Sequence, residues 1–130
     1  MFVSMDTVRA RVARQRTLTD MQHDVVAGSL FGDEHFVRTT CGYALRVNHG
    51  IAQQEYVMWK YRILEVLTNS PPREYEKSYY FRTVTHRFFD EMRSVFYRDH
   101  TKIIPTVIAD WMNPIVFAVW LMDDGSNDHG

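Results

Sequence analysis

A chain of 130 residues with 45% apolar and 24% charged side chains has the make-up of one folded domain, long enough to bury roughly two-thirds of its unfolded surface. The net charge of −1 gives no bulk sign of a nucleic-acid partner, and the single cysteine, Cys41, excludes an internal disulfide or a multi-cysteine zinc centre. The longest apolar run, Ile115 to Met122, covers about two turns of helix and is too short to span a membrane. With no secretory core at the N-terminus, the expected setting is a reducing intracellular compartment, a bacterial cytoplasm or an organelle.

The charges are uneven. Arg9, Arg11, Arg14 and Arg16 stand against Asp6 in a basic arm over residues 1–17. Such an arm is more often a solvated tail, with phosphate contact as the alternative. In "TLTDMQHDVVAGSLFGD", Thr19 and Gln22 have the spacing of a capping box and predict a helix start. Gly28 and Gly32 follow, four apart. A helical glycine costs about 1 kcal/mol relative to alanine, so the pair predicts close approach of another backbone. Gly32 also reads as a helix terminator.

"EHFVRTTCGYALRVNHG" predicts a hairpin whose second strand puts Tyr43, Leu45 and Val47 on a core face. Ala44, Arg46 and Asn48 share the other face, and Arg38 is expected to join them from the first strand. "QQEYVMWKYRILEVLT" predicts an amphipathic helix with Val57, Tyr61, Leu64 and Leu67 on one stripe. The double proline in "NSPPRE" breaks it. "EYEKSYYFRTVT" predicts a second hairpin carrying Arg82, and "HRFFDEMRSVFY" a helix burying Phe88, Met92, Val95 and Phe96. Asn113 and Pro114 predict the cap and first turn of a last helix. The six histidines show no helical metal pair and read as surface or turn residues, and Trp59, Trp111 and Trp120 as core. The fold class is α+β, an antiparallel sheet with helices on one face.

The first and last helices share a pattern: "VAGSLFGDE" (Val26 to Glu34) and "FAVWLMDDG" (Phe117 to Gly125) each have alanine second and aspartate eighth. With "EYVMWKYRILEVL", "SPP", "YYFRTVTH" and "KIIP" between them in order, the chain after Thr17 resembles the LAGLIDADG homing endonuclease family in its two-motif form. The resemblance implies a four-stranded saddle sheet in the order αββαββα plus a second motif helix. Residues 18–112 would form the first half-domain, and 113–130 the second motif helix with the stub of a truncated second half. It implies site-specific hydrolysis of double-stranded DNA, with the eighth-position acids Asp33 and Asp124 as catalytic ligands of Mg²⁺ or Mn²⁺. Lys102 would assist as a third catalytic residue. Gly28, Gly32 and Ala118 would line the interface between the motif helices.

Electrostatics supports a cation at that point. A helix C-terminus carries about half a negative charge, and two such ends bearing carboxylates repel unless a cation intervenes. A divalent ion with oxygen ligands would stabilise the transition-state charge. Asp123 lies about 100° of helix from Asp124 and is not expected to be a ligand. A two-stranded ribbon fits a major groove, which makes Arg38, Arg46, Asn48 and Arg82, with Thr83 and Thr85, the DNA-binding candidates. The competing reading is a solvated sheet face.

Three features depart from the family pattern. Glu34 replaces the glycine after the first aspartate, which strains the turn if it needs positive φ and adds a negative group. The net charge is low for a duplex binder. The chain also stops five residues after Gly125, without a second saddle. Phe117, Trp120 and Leu121 cannot all face the first helix, so the expectation is either self-association through the second motif helix, as a homodimer or otherwise, or marginal stability. The alternative function is a non-catalytic nucleic-acid binding module or an RNA-splicing maturase of the same fold, with RNA as partner. A plain structural domain is the third reading.

Overall fold

The computed structural model describes residues 7–127, with side chains to Asp124. Asp6 of the basic arm and the acidic tail beyond residue 127 lie outside the described residues. In chain order the elements are α1 (Val8–Arg14), α2 (Asp20–Phe31), β1 (His35–Thr39), β2 (Gly42–Gly50) and α3 (Gln54–Leu64). They continue through β3 (Arg73–Tyr75), β4 (Ser78–Arg82), α4 (Arg87–Phe96), β5 (Tyr97–Arg98), β6 (Thr101–Lys102), α5 (Ile108–Trp111) and α6 (Pro114–Asn127). The larger sheet is antiparallel in the order β1-β2-β4-β3. The α+β class is as expected.

From Thr7 to Arg14 the basic arm is a packed helix, not a solvated tail. Thr7 caps α1 through a hydrogen bond from the Ala10 amide, Ala10 and Ala13 are buried, and the Arg9 guanidinium donates to the Thr68 carbonyl at 3.0 Å. Small residues at 10 and 13 let α1 lie against Val84.

Thr19 caps α2 in both directions: its hydroxyl accepts from the Gln22 amide at 3.1 Å, and its own amide donates to Gln22 Oε1 at 2.9 Å. The helix is buried nearly all round from Val25 to Phe31, because the sheet lies beneath it and α6 beside it. The core joins Val25, Val26 and Leu30 to Leu45, Val47 and Phe81 of the sheet and to Phe89, Met92 and Phe96 of α4. Phe88 and Val95 are only partly buried, so the inner stripe of α4 runs through Phe89. The Asn113 side chain accepts from the Val116 amide at 2.9 Å and starts α6 as expected. Trp120 stacks on Phe31 inside the fold, but Trp59 stands 36% exposed, stacked against Tyr56. His86 is buried, not a surface residue: it caps α4 through Nδ1 and meets the Arg16 carbonyl through Nε2 at 2.7 Å.

Candidate metal centre and nucleic-acid interface

The site is built on the contact between α2 and α6. A Cβ added at Gly28 would lie 2.7 Å from Val119 Cβ and 2.8 Å from the Val116 carbonyl oxygen. One added at Gly32 would lie 2.5 Å from Asp123 Cβ. Only hydrogen fits at either place, so the glycine spacing serves close approach, and Gly32 also caps the helix through its amide to the Gly28 carbonyl at 3.0 Å. The facing side of α6 is Val116, Val119 and Asp123, one turn apart each time. Ala118 is not part of this interface: it is exposed on the outer side, which corrects its expected place.

Two adjacent carboxylates follow the end of α2, and two more lie near the C-terminal end of α6. That helix runs on to Asn127 instead of stopping at them as expected. At each place the fold turns one carboxylate out and one in. Asp33 and Asp124 are exposed, while Glu34 and Asp123 are buried. Glu34 causes no backbone strain, because the positive φ angles outside glycine fall at Glu76 and Asp99 among the described residues. Its side chain reaches inward instead.

There it meets Lys60, which lies three residues after Val57 and four before Leu64, on the buried stripe of α3. Lys60 is fully buried, and its Nζ donates to Asp123 Oδ1 at 2.9 Å, to Asp123 Oδ2 at 3.1 Å and to Glu34 Oε2 at 3.2 Å. His49 Nε2 lies 2.9 Å from Glu34 Oε2 and 3.7 Å from Asp123 Oδ1. The Tyr56 hydroxyl donates to Asp123 Oδ1 at 2.6 Å. Burial pushes the Glu34 carboxyl up, but Lys60 and His49 outweigh it and hold the group below the usual carboxylate range. Burial also pushes Asp123 up, and there the neighbouring Glu34 charge leaves the net shift upward despite Lys60. Burial first, and then the Asp123 charge, raise the Tyr56 phenol, so it stays a donor. The helix tips therefore do not depend on a divalent ion alone for charge balance, because a lysine supplies a cation between them. His49 corrects the reading of the histidines as surface groups.

Lys102 completes the outer side. From β6 its ammonium donates to the Gly32 carbonyl at 2.9 Å and to the Glu34 carbonyl, satisfying the C-terminal end of α2. Burial lowers its pKa below the usual lysine range, against the pull of Asp33, Glu34, Asp123 and Asp124. Its ammonium thus feels all four carboxylates at once.

The opposite face of the sheet forms a groove of about 860 Å³. Strand pairing sets its lining: Val37 faces Ala44, and Arg46 faces Arg82, while Phe36, Leu45, Val47 and Phe81 point to the core. Arg14 from α1 and Arg73 from β3 join Arg46 and Arg82, and no carboxylate lines the groove among the described residues. A nearly neutral chain thus concentrates positive charge on one concave surface. Arg46 lies over the Tyr80 ring at 5.5 Å. Asn48 pairs with Tyr80 across β4, and its amide donates to Glu34 Oε1 at 3.4 Å, so β2 runs from the groove to the helix tips. Thr85 lines the groove at its end.

Two candidates differ from expectation. Arg38 pairs with Tyr43 on the helix side of the sheet and lies over that ring at 5.7 Å, which corrects its expected place beside Arg46. Its side follows from register, which one residue of slip inverts. Thr83 lies along the groove but is buried, accepting from the Leu45 amide at 2.9 Å and donating to the Val84 carbonyl at 2.9 Å, so its hydroxyl is taken up by the fold.

Residues 23–130 match the LAGLIDADG DNA endonuclease family, and the chain belongs to it. It is 32% identical over 123 residues to the Protein RecA of Mycobacterium shimoidei, covering 91% of this chain and 29% of that one. A probable intron-encoded endonuclease 1 of Wickerhamomyces canadensis is 24% identical over 119 residues, covering 84% of this chain and 52% of that protein. The solved structure of the homing endonuclease I-WcaI bound to its DNA recognition sequence shares the fold, with a TM-score of 0.81 at 20% identity over 94% of this chain and 59% of that chain. The chain thus spans between about a third and three-fifths of these relatives' lengths. No helix of the described residues is long and apolar enough to cross a membrane.

Proposed function

We propose that this chain carries the metal-binding helix pair and one recognition saddle of a site-specific, divalent-metal-dependent DNA endonuclease. One observation carries the reading: α2 and α6 each turn a single carboxylate outward, Asp33 and Asp124, at the end where Lys102 feels both. The donor set fits Mg²⁺ or Mn²⁺, which take carboxylate and carbonyl oxygens and do not need the nitrogen or sulfur that softer metals prefer. When bound, such an ion supplies charge stabilisation for an in-line displacement at phosphorus and a lowered pKa for water.

The chain's own groups do the rest. Asp33 and Asp124 hold the ion, and Lys102 fixes the tip of α2 while adding positive charge beside the scissile phosphate. Arg46, Arg82, Arg73 and Arg14 hold the duplex against the saddle, with Thr85 at one end of the groove and Asn48, toward the other end of β2, as further candidates for base contact. The apolar outer side of α6, with Phe117 49%, Leu121 54% and Met122 50% exposed, is the surface through which two copies associate.

The test is cleavage of a library of duplex sites with and without Mg²⁺, by the parent chain and by Asp33→Asn. Mg²⁺-dependent double-strand cuts lost in the variant support the endonuclease. Binding of duplex without cuts, in parent and variant alike, overturns it in favour of a non-catalytic nucleic-acid module, and RNA-selective binding in favour of a maturase.

A further inference from the structure

The four carboxylates at the helix tips split into an outer pair, Asp33 and Asp124, and an inner pair, Glu34 and Asp123. The inner pair with His49 has the make-up of a metal site: one ligand atom from each, all within 4.8 Å of one another, all buried. Two of the separations bracket the edge of a small tetrahedral site. His49 Nε2 stands 2.9 Å from Glu34 Oε2 and 3.7 Å from Asp123 Oδ1, whereas bonds of 2.0–2.1 Å to zinc place adjacent ligands about 3.3 Å apart. The Lys60 ammonium fills that place, donating to both carboxylates from a side chain with no exposed surface.

We infer that Glu34, His49 and Asp123 form an inner cation site, permanently occupied by the tethered ammonium of Lys60, which holds the tips of α2 and α6 together and leaves Asp33 and Asp124 free for a diffusible ion. Lys60 is on this account a positioning residue. The inference rests on the endonuclease reading only in giving the outer pair its ion. A cation is needed at the inner place because two carboxylates are enclosed there, one of them, Glu34, just past the negative end of the α2 dipole. Lysine meets the need with a compact charge on a long stem, reaching the gap from α3. A fixed cation also makes the helix packing independent of the metal on which cutting depends.

If Lys60 stands in for an ion, removing it should open a real metal site. Lys60→Ala in an Asp33→Asn/Asp124→Asn background, where the outer pair is disabled, is titrated with Co²⁺. The expected result is one Co²⁺ per chain, visible d–d absorption from a nitrogen–oxygen site of low coordination number, and a rise in melting temperature. The same background with Lys60 intact stays colourless, and adding His49→Ala to the Lys60→Ala chain abolishes the colour. A Lys60→Ala chain that stays colourless, or does not fold even with Co²⁺, overturns the inference, as does colour that survives His49→Ala.

A second variant tests charge balance without metal. Lys60→Met alone is expected to lower the melting temperature by about 10 °C or more, because it strands two enclosed carboxylates. Lys60→Met/Asp123→Asn removes one charge of each sign and should recover most of that loss. Equal losses in the single and double variants overturn the inference. Cleavage that survives Asp33→Asn would refute the endonuclease reading and leave the cobalt result standing. Colourless Lys60→Ala with cleavage still dependent on Asp33 would refute only the inner site.

Discussion

Lys60 Nζ lies 2.9 Å from Asp123 Oδ1, and neither side chain has any exposed surface. Asp123 is therefore held by the protein itself, and its hydrogen bond from Tyr56 at 2.6 Å is part of that hold. Tyr56→Phe removes only the hydroxyl. Because the bond ends on a charged acceptor out of water, the expected loss is about 1.5–3 kcal/mol, read as a shift in denaturant midpoint at unchanged slope. No change in midpoint would mean that Asp123 does not depend on this donor.

The glycine face of α2 admits a second prediction. Gly28→Ala places a methyl group 2.7 Å from Val119 Cβ and 2.8 Å from a backbone oxygen, so the helices must separate. Alanine's better helix propensity returns about 1 kcal/mol, and overpacking costs about 1–3 kcal/mol. The backbone contact cannot move aside as a side chain can, so the net change is destabilising. A variant as stable as the parent in urea unfolding would contradict the packing.

Much of this was legible in the sequence, and the failures share a cause. The capping box at Thr19, the break at Pro71 and Pro72, the cap at Asn113 and the glycine pair are local signals, and local chemistry decided them. Lys60 was missed although the stripe of Val57 and Leu64 passes through position 60, because its charge argued for the solvated side and outweighed the spacing. The extra carboxylate of each motif, Glu34 and Asp123, was the hint that a buried cation was needed. Thr83 was unreadable because its hydroxyl bonds to the backbone of distant and adjacent residues. Arg38 was misplaced because the register of β1 depends on the turn at Cys41, and alternation alone does not fix it. His49 was hidden for the same reason: it shares the core face with Tyr43, Leu45 and Val47, where the argument by alternation stopped one pair short.

The pH dependence of stability follows from Glu34. Its folded-state pKa is depressed below the usual 4.5 by Lys60 and His49, which together overcome burial. As pH falls, the unfolded chain binds this proton first. The contribution is therefore fully present above 4.5 and is lost as pH falls through the folded-state value. Asp123, raised by burial and by Glu34, acts in the opposite sense. Compared on an Asp123→Asn background, where that opposing group is absent, the stability difference that Glu34→Gln makes should be flat above that range and shrink below it. A difference that grows on acidification would contradict the sign.

The groove separates residues that the sequence grouped together. Arg46→Ala and Arg82→Ala should weaken duplex binding and each reduce the salt dependence of log K by about one phosphate contact, provided each touches one. Arg38→Ala, on the other side of the sheet, should leave both quantities unchanged. Fluorescence anisotropy over a salt series would measure this, and equal effects from all three arginines would contradict the assignment of faces.

The central claim is that the outward carboxylates Asp33 and Asp124 hold the ion that cuts DNA, while Lys60 balances the inward pair. It is tested most directly by single-turnover cleavage of a duplex selected from the site library, titrated with Mg²⁺, comparing the parent with Asp33→Asn and Asp124→Asn. The account predicts Mg²⁺-dependent cutting in the parent and a loss of about a hundredfold or more in each variant, with duplex affinity retained. Cutting at parental rates by either variant, or in the presence of a chelator, would contradict it.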